Sequence, residues 1–314
     1  MKQIRQILIT GGAGFIGSSL AERLSEKAEY RITLVDNLLT GTLLHVPEGK
    51  HNNIQFIKCD VNSFKDISEV FYSTRFDWVF HYAAVVGVQR TLDNPVMVLD
   101  DLTGIANILN LSKNSGVERV FYSSSSEVYG ASVELPQNEY TTPLNSRLPY
   151  GIVKNVGEAF LKSYRKEFGL PYTIYRFFNT YGPKQSRDFV VSKFMSCALK
   201  NEPIIIYGDG SQSRTFCYVD DNVDACIRIA EDGMYMDDIV NIGSDKEISI
   251  LQLAQLVKAV CNSTSEIVHA PALTEGDMAR RMPDISKMRA ALQKDPVPLE
   301  EGLRKILSNT RFIL

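Results

Sequence analysis

The sequence lacks the features that would assign it to a specialised class of protein. No apolar stretch approaches the length needed to span a bilayer, so we expect no membrane association. No long basic run occurs and the formal net charge is −3, which argues against nucleic-acid binding because such binding depends on neutralised phosphates. The chain also has no internal repeat and no low-complexity tract, and we expect an ordinary globular protein.

Cysteines are few and dispersed along the chain. Their number, five, is odd, and none belongs to a Cys-x-x-Cys motif or a Cys/His cluster. This pattern argues against a zinc site and against a disulfide framework, and we expect no bound metal. We interpret the five as reduced, buried thiols of a cytoplasmic protein: Cys59, Cys197, Cys217, Cys226 and Cys261.

Short β-branched segments alternate with helical patterns in the first part of the chain. Strands are predicted around residues 7–10, 32–35, 54–57, 78–80, 120–122 and 173–175, and helices over residues 18–27, 98–115 and 154–168. Such alternation predicts an α/β fold whose doubly wound parallel sheet is covered by helices on both faces. Beyond Gly182, prolines divide the chain into shorter pieces. We therefore predict a large domain over residues 1–180 and a smaller C-terminal α/β lobe over residues 181–314, with some segments returning to the first domain.

A glycine-rich turn follows the first predicted strand and opens a helix. Gly11 permits a tight turn, Gly14 lets the backbone approach a pyrophosphate, and Gly17 allows close packing of the helix. Phe15 and Ile16 lie at the helix N-terminus, whose dipole attracts negative charge. This arrangement is typical of a Rossmann-type sheet that binds a dinucleotide.

An acidic residue after the second predicted strand indicates which dinucleotide is bound. Asp36 lies nineteen residues after Gly17, where a carboxylate accepts ribose hydroxyls and repels a 2′-phosphate. Asn37 and the residues after it offer no arginine for that phosphate, so the sequence favours NAD over NADP. Further cofactor contacts are predicted after the third and fourth strands, at Asp60, Val61 and Ala83. An aspartate such as Asp60 is also a common helix cap, and His81 is interpreted as structural.

A tyrosine and a lysine four residues apart form the candidate catalytic pair. On a helix, this spacing places the Tyr150 phenol and the Lys154 ammonium on one face. A nearby cation lowers the pKa of a phenol, which would let the tyrosine act as a base near neutral pH. A serine-rich segment, residues 123–130, follows the fifth predicted strand, and catalytic groups of open α/β sheets gather at such ends. The alternative for this segment is a turn that caps a helix.

Together these elements resemble the extended short-chain dehydrogenase/reductases that act on nucleotide sugars. The resemblance runs in family order through residues 11–17, 36, 60–61, 81–84, 123–130, 150–154, 176–183 and 214–221. It implies an enzyme in which Tyr150 takes the proton of the sugar 4-hydroxyl while hydride leaves C4 for NAD⁺. It implies that Lys154 binds the nicotinamide ribose and that Ser125 hydrogen-bonds the 4-oxygen. It also implies a C-terminal lobe that binds the nucleotide sugar, with Asn179 and Arg214 on its diphosphate.

Three features resemble UDP-glucuronate decarboxylases in particular. Ser126 and Glu127 stand where the 4,6-dehydratases have an Asp-Glu pair, which argues against dehydration. Arg147 precedes the tyrosine by three residues, and Arg281 lies near the C-terminus. The resemblance implies that Glu127 and Arg281 are catalytic and that Ser126, Arg147 and Arg281 bind the substrate. A 4-ketone makes the C5 carboxylate a β-keto acid that loses CO₂ without a metal, while arginine stabilises the enolate and an acid manages the proton.

Other features resemble UDP-sugar 4-epimerases of the UDP-glucose/galactose type, which stay open as the alternative. Leu148-Pro149 before the tyrosine resembles an epimerase more closely, and residues 83–90 differ from the segment that decarboxylases have after the fourth strand. Such epimerases, however, usually lack the acid of Glu127 and carry an arginine where this chain has Thr274. A non-catalytic NAD-binding scaffold or sensor would be expected to lose Tyr150 or Lys154, and both are present.

The expected partners follow from the same resemblance. The substrate is expected to be a UDP-sugar. The resemblance also implies a homodimer in which residues 98–115 and 154–168 form a four-helix interface. Both predicted helices carry apolar positions beyond one buried stripe, as such an interface requires.

Overall fold

The computed structural model of the protein describes residues 4–272 and 280–309. Its strands, in chain order, are β1 (Arg5–Thr10), β2 (Tyr30–Asp36), β3 (Ile54–Lys58), β4 (Trp78–His81), β5 (Arg119–Ser125), β6 (Tyr172–Phe177), β7 (Thr180–Tyr181), β8 (Ile204–Tyr207), β9 (Ser213–Thr215), β10 (Cys217–Tyr218), β11 (Asp238–Ile242), β12 (Glu247–Ser249) and β13 (Ile267–Ala270). Its helices are α1 (Phe15–Leu24), α2 (Phe64–Ser73), α3 (Val88–Asp93), α4 (Pro95–Ser115), α5 (Pro149–Phe168), α6 (Val190–Lys200), α7 (Val219–Glu231), α8 (Ile250–Val260), α9 (Ser286–Leu292) and α10 (Leu299–Leu307). Short 3₁₀ turns occur at Leu43–His45 and Ser126–Tyr129.

Seven parallel strands form the central sheet, in the order β11-β6-β5-β4-β1-β2-β3. All six predicted strands lie in it, and the predicted Rossmann-type α/β fold is confirmed. Both faces of the sheet are covered, because successive residues of β1 pack into different hydrophobic cores. Ile7 and Ile9 contact the core that contains residues of α1 and α7, whereas Leu8 contacts the core of α2, α4 and α5.

The chain beyond residue 180 contributes to two parts of the molecule. Three two-stranded pairings, β7 with β10, β8 with β13 and β9 with β12, lie outside the central sheet. In contrast, β11 pairs with β6 at the edge of the central sheet, and α7 packs against α1. Among the described helices, none combines the length and the apolar character needed to cross a membrane.

The two helices that precede and follow β5 have ends defined by proline and glycine. α4 begins at Pro95 and α5 at Pro149, the position where proline costs a helix no hydrogen bond. Gly116 and Gly169 follow their last turns in the left-handed conformation, with φ of 74° in both cases. Both helices begin earlier than the sequence pattern predicts, and the early start of α5 places Tyr150 in its first turn.

Candidate active site

A cleft of about 890 Å³ runs along the carboxyl ends of β1, β2, β4, β5 and β6, where open α/β sheets bind their ligands. The predicted site residues that line it are Gly11, Gly14, Phe15, Ile16, Gly17, Asp36, Asn37, Asp60, Val61, Ala83, Ser125, Ser126, Glu127, Tyr150, Lys154, Asn179 and Arg281. Arg147 and Arg214 are not part of this wall. The fold therefore brings together residues that the sequence separates by up to 270 positions.

The glycine turn leaves no room for side chains. Gly11 has a φ of +71°, and a Cβ added there would lie 2.8 Å from the backbone nitrogen of Ala83. A Cβ added at Gly17 would lie 2.3 Å from the carbonyl oxygen of Gly11. Gly14 is the N-cap residue of α1, and it provides no side-chain hydrogen bond to the first turn of this helix. No capping side chain of the N-cap residue therefore lies between that turn and the cleft. The turn therefore fits a pyrophosphate held by backbone amides.

Asp36 is fixed by the same turn. Its Oδ2 accepts a hydrogen bond from the backbone nitrogen of Ala13 at 3.0 Å, and its Oδ1 accepts one from Leu38 at 2.8 Å. Each carboxylate oxygen keeps a second lone pair, as an acceptor of ribose hydroxyls needs. Asp60 accepts from the backbone nitrogen of Asn62, while Ser63 caps α2, so the helix-cap alternative for Asp60 is not realised.

Tyr150 and Lys154 lie side by side in the cleft, one helical turn apart. Burial and the nearby Glu127 raise the pKa of the Tyr150 phenol, while a hydrogen bond with the Ser125 hydroxyl lowers it. The expectation of a Tyr150 pKa near neutral is not met in the protein without its cofactor, because burial raises this pKa above its usual value. The Lys154 ammonium lies 5.7 Å from the Tyr150 ring centre and donates to the Ser123 carbonyl at 2.6 Å. Burial lowers the pKa of Lys154 itself to about 8.

Arg281 reaches the serine-rich segment from a distant part of the chain. Its Nη1 lies 2.5 Å from Glu127 Oε1 and 3.2 Å from Ser126 Oγ, and its Nη2 lies 3.3 Å from Glu127 Oε2. The guanidinium is buried, whereas Glu127 is partly exposed in the cleft. Two backbone hydrogen bonds of Gln137 hold the Arg281 segment in place. The Gln137 N–H donates to the Met282 carbonyl at 2.7 Å, and the Gln137 carbonyl accepts from the Asp284 N–H at 2.8 Å.

Of the remaining predicted substrate contacts, Asn179 lines the cleft, whereas Arg147 and Arg214 do not. The Asn179 side chain, whose backbone has a φ of +26°, donates to the Thr215 carbonyl at 3.0 Å. Arg214 lies in β9 and donates to the Ser213 carbonyl at 2.8 Å. Arg147 is exposed. Thr274 lies outside the described residues, so the structure does not bear on it.

His81 is buried, as its structural interpretation requires. Its Nδ1 pairs with the Thr10 hydroxyl at 2.8 Å. Burial, assisted by Lys154, lowers the pKa of the imidazole to about 3, and it is therefore neutral. Across residues 4–272 and 280–309, His, Cys, Asp and Glu form no group of three or more that could hold a metal ion.

Sequence reasoning missed four charged residues of the cleft wall: Arg90, Asp100, Asp101 and Lys184. Lys184 is buried and pairs with Glu22 on α1 at 2.7 Å. Arg90 Nη2 lies 3.8 Å from Oδ2 of the exposed Asp188. No motif identifies these residues, since charged side chains on helices and loops are usually exposed to solvent. The one available signal is the position of Lys184 directly after the Gly-Pro turn of residues 182–183.

Comparison with known proteins decides the family. The model of the NAD-dependent epimerase/dehydratase family matches residues 7–243. The chain belongs to this family. It is 36% identical to UDP-glucuronic acid decarboxylase 1 of Danio rerio, over 98% of this chain and 72% of that protein. It is 34% identical to a putative UDP-glucose 4-epimerase of Methanocaldococcus jannaschii, over 96% of this chain and 97% of that protein.

Solved structures agree with this family. The crystal structure of a Thermotoga maritima UDP-glucose 4-epimerase with UDP-glucose matches with a TM-score of 0.90 and 32% identity, covering 96% of this chain and 97% of that one. The predicted resemblance and the NAD cofactor are confirmed, and the protein is an enzyme of the epimerase/dehydratase family. Decarboxylases and 4-epimerases match at nearly equal identity, so a choice between the two reactions rests on the site.

Proposed function

We propose that this family member is a UDP-glucuronate decarboxylase that works through transient oxidation at C4 of the sugar. The observation that carries the proposal is the buried Arg281 guanidinium beside Ser126 and Glu127 at the wall of the cleft. Guanidinium has five donors in a planar fork that suits carboxylates, and it can bind a second carboxylate besides Glu127. A uronate substrate supplies that carboxylate at C5, whereas a neutral hexose does not.

The proposed chemistry divides among four side chains. Tyr150 takes the proton of the 4-hydroxyl, and Ser125 donates a hydrogen bond to the 4-oxygen. Bound NAD⁺ would supply the acceptor and later the donor of the C4 hydride, and its positive charge would favour the Tyr150 phenolate. The bond from C5 to the carboxylate then breaks, its electron pair enters the enolate of the 4-ketone, and CO₂ leaves. Glu127 relays a proton from solvent to C5, which balances the loss of CO₂ from the carboxylate.

A UDP-sugar 4-epimerase is the second candidate. The high structural similarity to the Thermotoga maritima epimerase favours it, as does the exposed position of Arg147, which the decarboxylase resemblance placed on the substrate. Epimerisation needs only a 4-keto sugar that turns over between removal and return of the hydride. Tyr150 and Ser125 would serve this reaction equally well, and Glu127 would have no proton to deliver.

The product formed from UDP-glucuronate tests the proposal. We expect the purified protein with NAD to release CO₂ from UDP-glucuronate and to form a UDP-pentose. NMR of the sugar carbons identifies this product. UDP-glucose and UDP-galactose serve as matched substrates that lack the carboxylate and should not be interconverted. Interconversion of these hexoses without release of CO₂ would make the protein an epimerase.

We also propose that the protein is a homodimer whose interface is built from α4 and α5. These helices pack against each other, and both carry large apolar side chains that are exposed in the single chain: Val96, Leu99, Ile152 and Phe168. Two copies would bury these side chains in a four-helix arrangement.

Light scattering at micromolar concentration should therefore give twice the chain mass of 35.2 kDa. Leu99→Asp should give the mass of one chain, because it would bury a charge in the interface. Tyr72→Asp alters an even more exposed aromatic residue on α2, outside the proposed interface, and should remain dimeric. A single-chain mass for the unmodified protein would refute the interface.

A further inference from the structure

Asn241 lies in β11, at the edge of the central sheet, and its side chain is fully buried. Its Nδ2 donates to the Gln137 carbonyl at 2.9 Å and to the Asp284 carbonyl at 3.3 Å. The Asp284 N–H donates in turn to the Gln137 carbonyl. Asp284 ends the short segment of residues 281–284 that begins with Arg281. The Asn241 side chain therefore attaches the Arg281 segment to the central sheet.

The oxygen of the same amide is held by Tyr129, in the 3₁₀ turn after β5. The Tyr129 hydroxyl donates to Asn241 Oδ1 at 2.7 Å and accepts from Arg176 Nη1 at 2.8 Å. A guanidinium can only donate and a backbone carbonyl can only accept. The hydroxyl must therefore donate towards Asn241, whose nitrogen must face the two carbonyls. This fixes the direction of each of these hydrogen bonds.

Glu158 joins these side chains to the elements that carry Ser125 and Tyr150. Its Oε1 accepts from Arg176 Nε at 2.8 Å, and its Oε2 accepts from Arg176 Nη2 at 2.7 Å. Ser124, which precedes Ser125 in β5, donates to Glu158 Oε1 at 2.6 Å. Glu158 itself lies on α5, as Tyr150 does.

The four side chains of Glu158, Arg176, Tyr129 and Asn241 form one buried network. Its members satisfy one another, and a fully satisfied buried network holds the elements that it joins in one arrangement. The network thus connects α5, the serine-rich segment and the Arg281 segment. Binding of a carboxylate by a guanidinium depends on the direction of the fork as well as on its distance, so a shift of this segment weakens the contact.

We propose that Tyr129 and Asn241 are positioning residues that hold Arg281 where it binds the carboxylate of the substrate. The inference rests on the proposed function, in which Arg281 binds that carboxylate. Tyr129 and Asn241 are fully buried and lie outside the cleft wall, so they act on the substrate through Arg281. They thereby favour a uronate over a neutral hexose.

The affinities for two UDP-sugars distinguish positioning from general stability. Calorimetry with bound NAD is done in Tyr150→Phe, whose turnover should be too slow to interfere. Tyr129→Phe, added to this variant, removes the hydroxyl in the middle of the network. It should weaken binding of UDP-glucuronate by about tenfold, the scale of one hydrogen bond to a charged group. Binding of UDP-glucose, which has no carboxylate, should stay the same, whereas a merely structural defect would weaken both.

A neighbouring tyrosine is the matched control. Tyr175 precedes Arg176 in β6, and successive side chains of a strand point to opposite faces. Its buried hydroxyl donates to the Cys226 carbonyl at 3.2 Å, in the other core. Tyr175→Phe should leave both affinities unchanged.

Arg281→Ala in the same background sets the full loss of affinity for UDP-glucuronate, about a hundredfold for a buried charged partner. Adding Tyr129→Phe to Arg281→Ala should cause no further loss, because the network acts on the carboxylate only through the guanidinium. The inference is wrong if Arg281→Ala weakens binding of UDP-glucuronate and Tyr129→Phe does not, or if Tyr129→Phe weakens both UDP-sugars equally.

Hydrogen exchange followed by NMR tests the network without substrate. The backbone N–H groups of Gln137 and Asp284 should be protected in the unmodified protein, a result that needs no variant to fold. Tyr129→Phe should make both exchange about tenfold faster, because local opening becomes easier. Unprotected groups in the unmodified protein, or unchanged exchange in Tyr129→Phe, would overturn the inference. Faster exchange together with an Arg281→Ala protein that binds UDP-glucuronate normally would instead refute the proposed function alone.

Discussion

Tyr150→Phe should lower turnover of the nucleotide sugar by about 10³-fold, the scale expected when a positioned base is lost. The phenol lies in the cleft beside Ser125 and Lys154, and removing its oxygen leaves no other described group placed to take the 4-hydroxyl proton. Decarboxylation and epimerisation both begin with oxidation at C4, so the loss should be the same for either reaction. The measurement is kcat on UDP-glucuronate and on UDP-glucose.

A tyrosine on the same helix supplies the control for this variant. The Tyr164 hydroxyl donates to Asn110 at 2.9 Å, far along α5 from the cleft, and Tyr164→Phe should keep its activity. NAD binding and thermal unfolding of Tyr150→Phe should match those of the unmodified protein, since one buried hydroxyl is removed and the ring is kept. A Tyr150→Phe protein with a tenth or more of the original turnover would show that another group takes the proton.

Glu127→Gln and Arg281→Ala should each lower decarboxylation of UDP-glucuronate by about a hundredfold, the usual scale for a positioned acid or an electrostatic donor. Their ion pair is the side-chain contact that brings Arg281 to the serine-rich segment after β5. Glutamine keeps the shape of Glu127 but has no proton to deliver to C5. Alanine at position 281 removes the guanidinium that would orient the substrate carboxylate. Release of CO₂ from carboxyl-labelled UDP-glucuronate measures both losses.

The neighbouring arginine is a close control for the Arg281 variant. Arg280 is exposed and pairs with Glu247 at 2.5 Å, outside the cleft wall. Arg280→Ala should leave decarboxylation unchanged, because exposed ion pairs contribute little. The double variant of Glu127 and Arg281 should be little worse than either single variant, since the two groups act as a unit. The decarboxylase proposal is wrong if Glu127→Gln interconverts UDP-glucose and UDP-galactose at nearly the unmodified rate and if neither the unmodified protein nor the variant releases CO₂ from UDP-glucuronate.

Much of the sheet and of the cofactor turn could be predicted from the sequence because both depend on local chemistry. A parallel strand buried on both faces needs a short run of β-branched and aromatic residues, and each of the six predicted runs is a strand of the central sheet. The glycines after β1 are needed for steric reasons that act within a few residues, as the Cβ distances at Gly11 and Gly17 show. The four-residue spacing of Tyr150 and Lys154 places them on one face of any helix that contains both.

Only the tertiary structure decided how distant segments meet and which groups are buried. β11 returns to pair with β6, and Arg281 meets Glu127 across 154 positions, because the backbone of Gln137 bonds to residues on both sides of Pro283. Burial decided the direction of the Tyr150 pKa against the expected influence of Lys154, since desolvation depends on everything packed around a phenol.

The same physical reason explains Asp101 and Arg147. In the sequence Asp101 belongs to no motif, whereas Arg147 is distinguished by its place three residues before the tyrosine. Asp101 lies in the cleft wall, where Val85 and Asn62 hydrogen-bond to its carboxylate, whereas Arg147 is exposed. The sequence by itself determined the fold class, the family and the residue types at the ends of the strands, because these follow from local patterns. Which charges face each other in the cleft was decided by the tertiary structure, because electrostatic partners are set by distance in space and by exclusion of water.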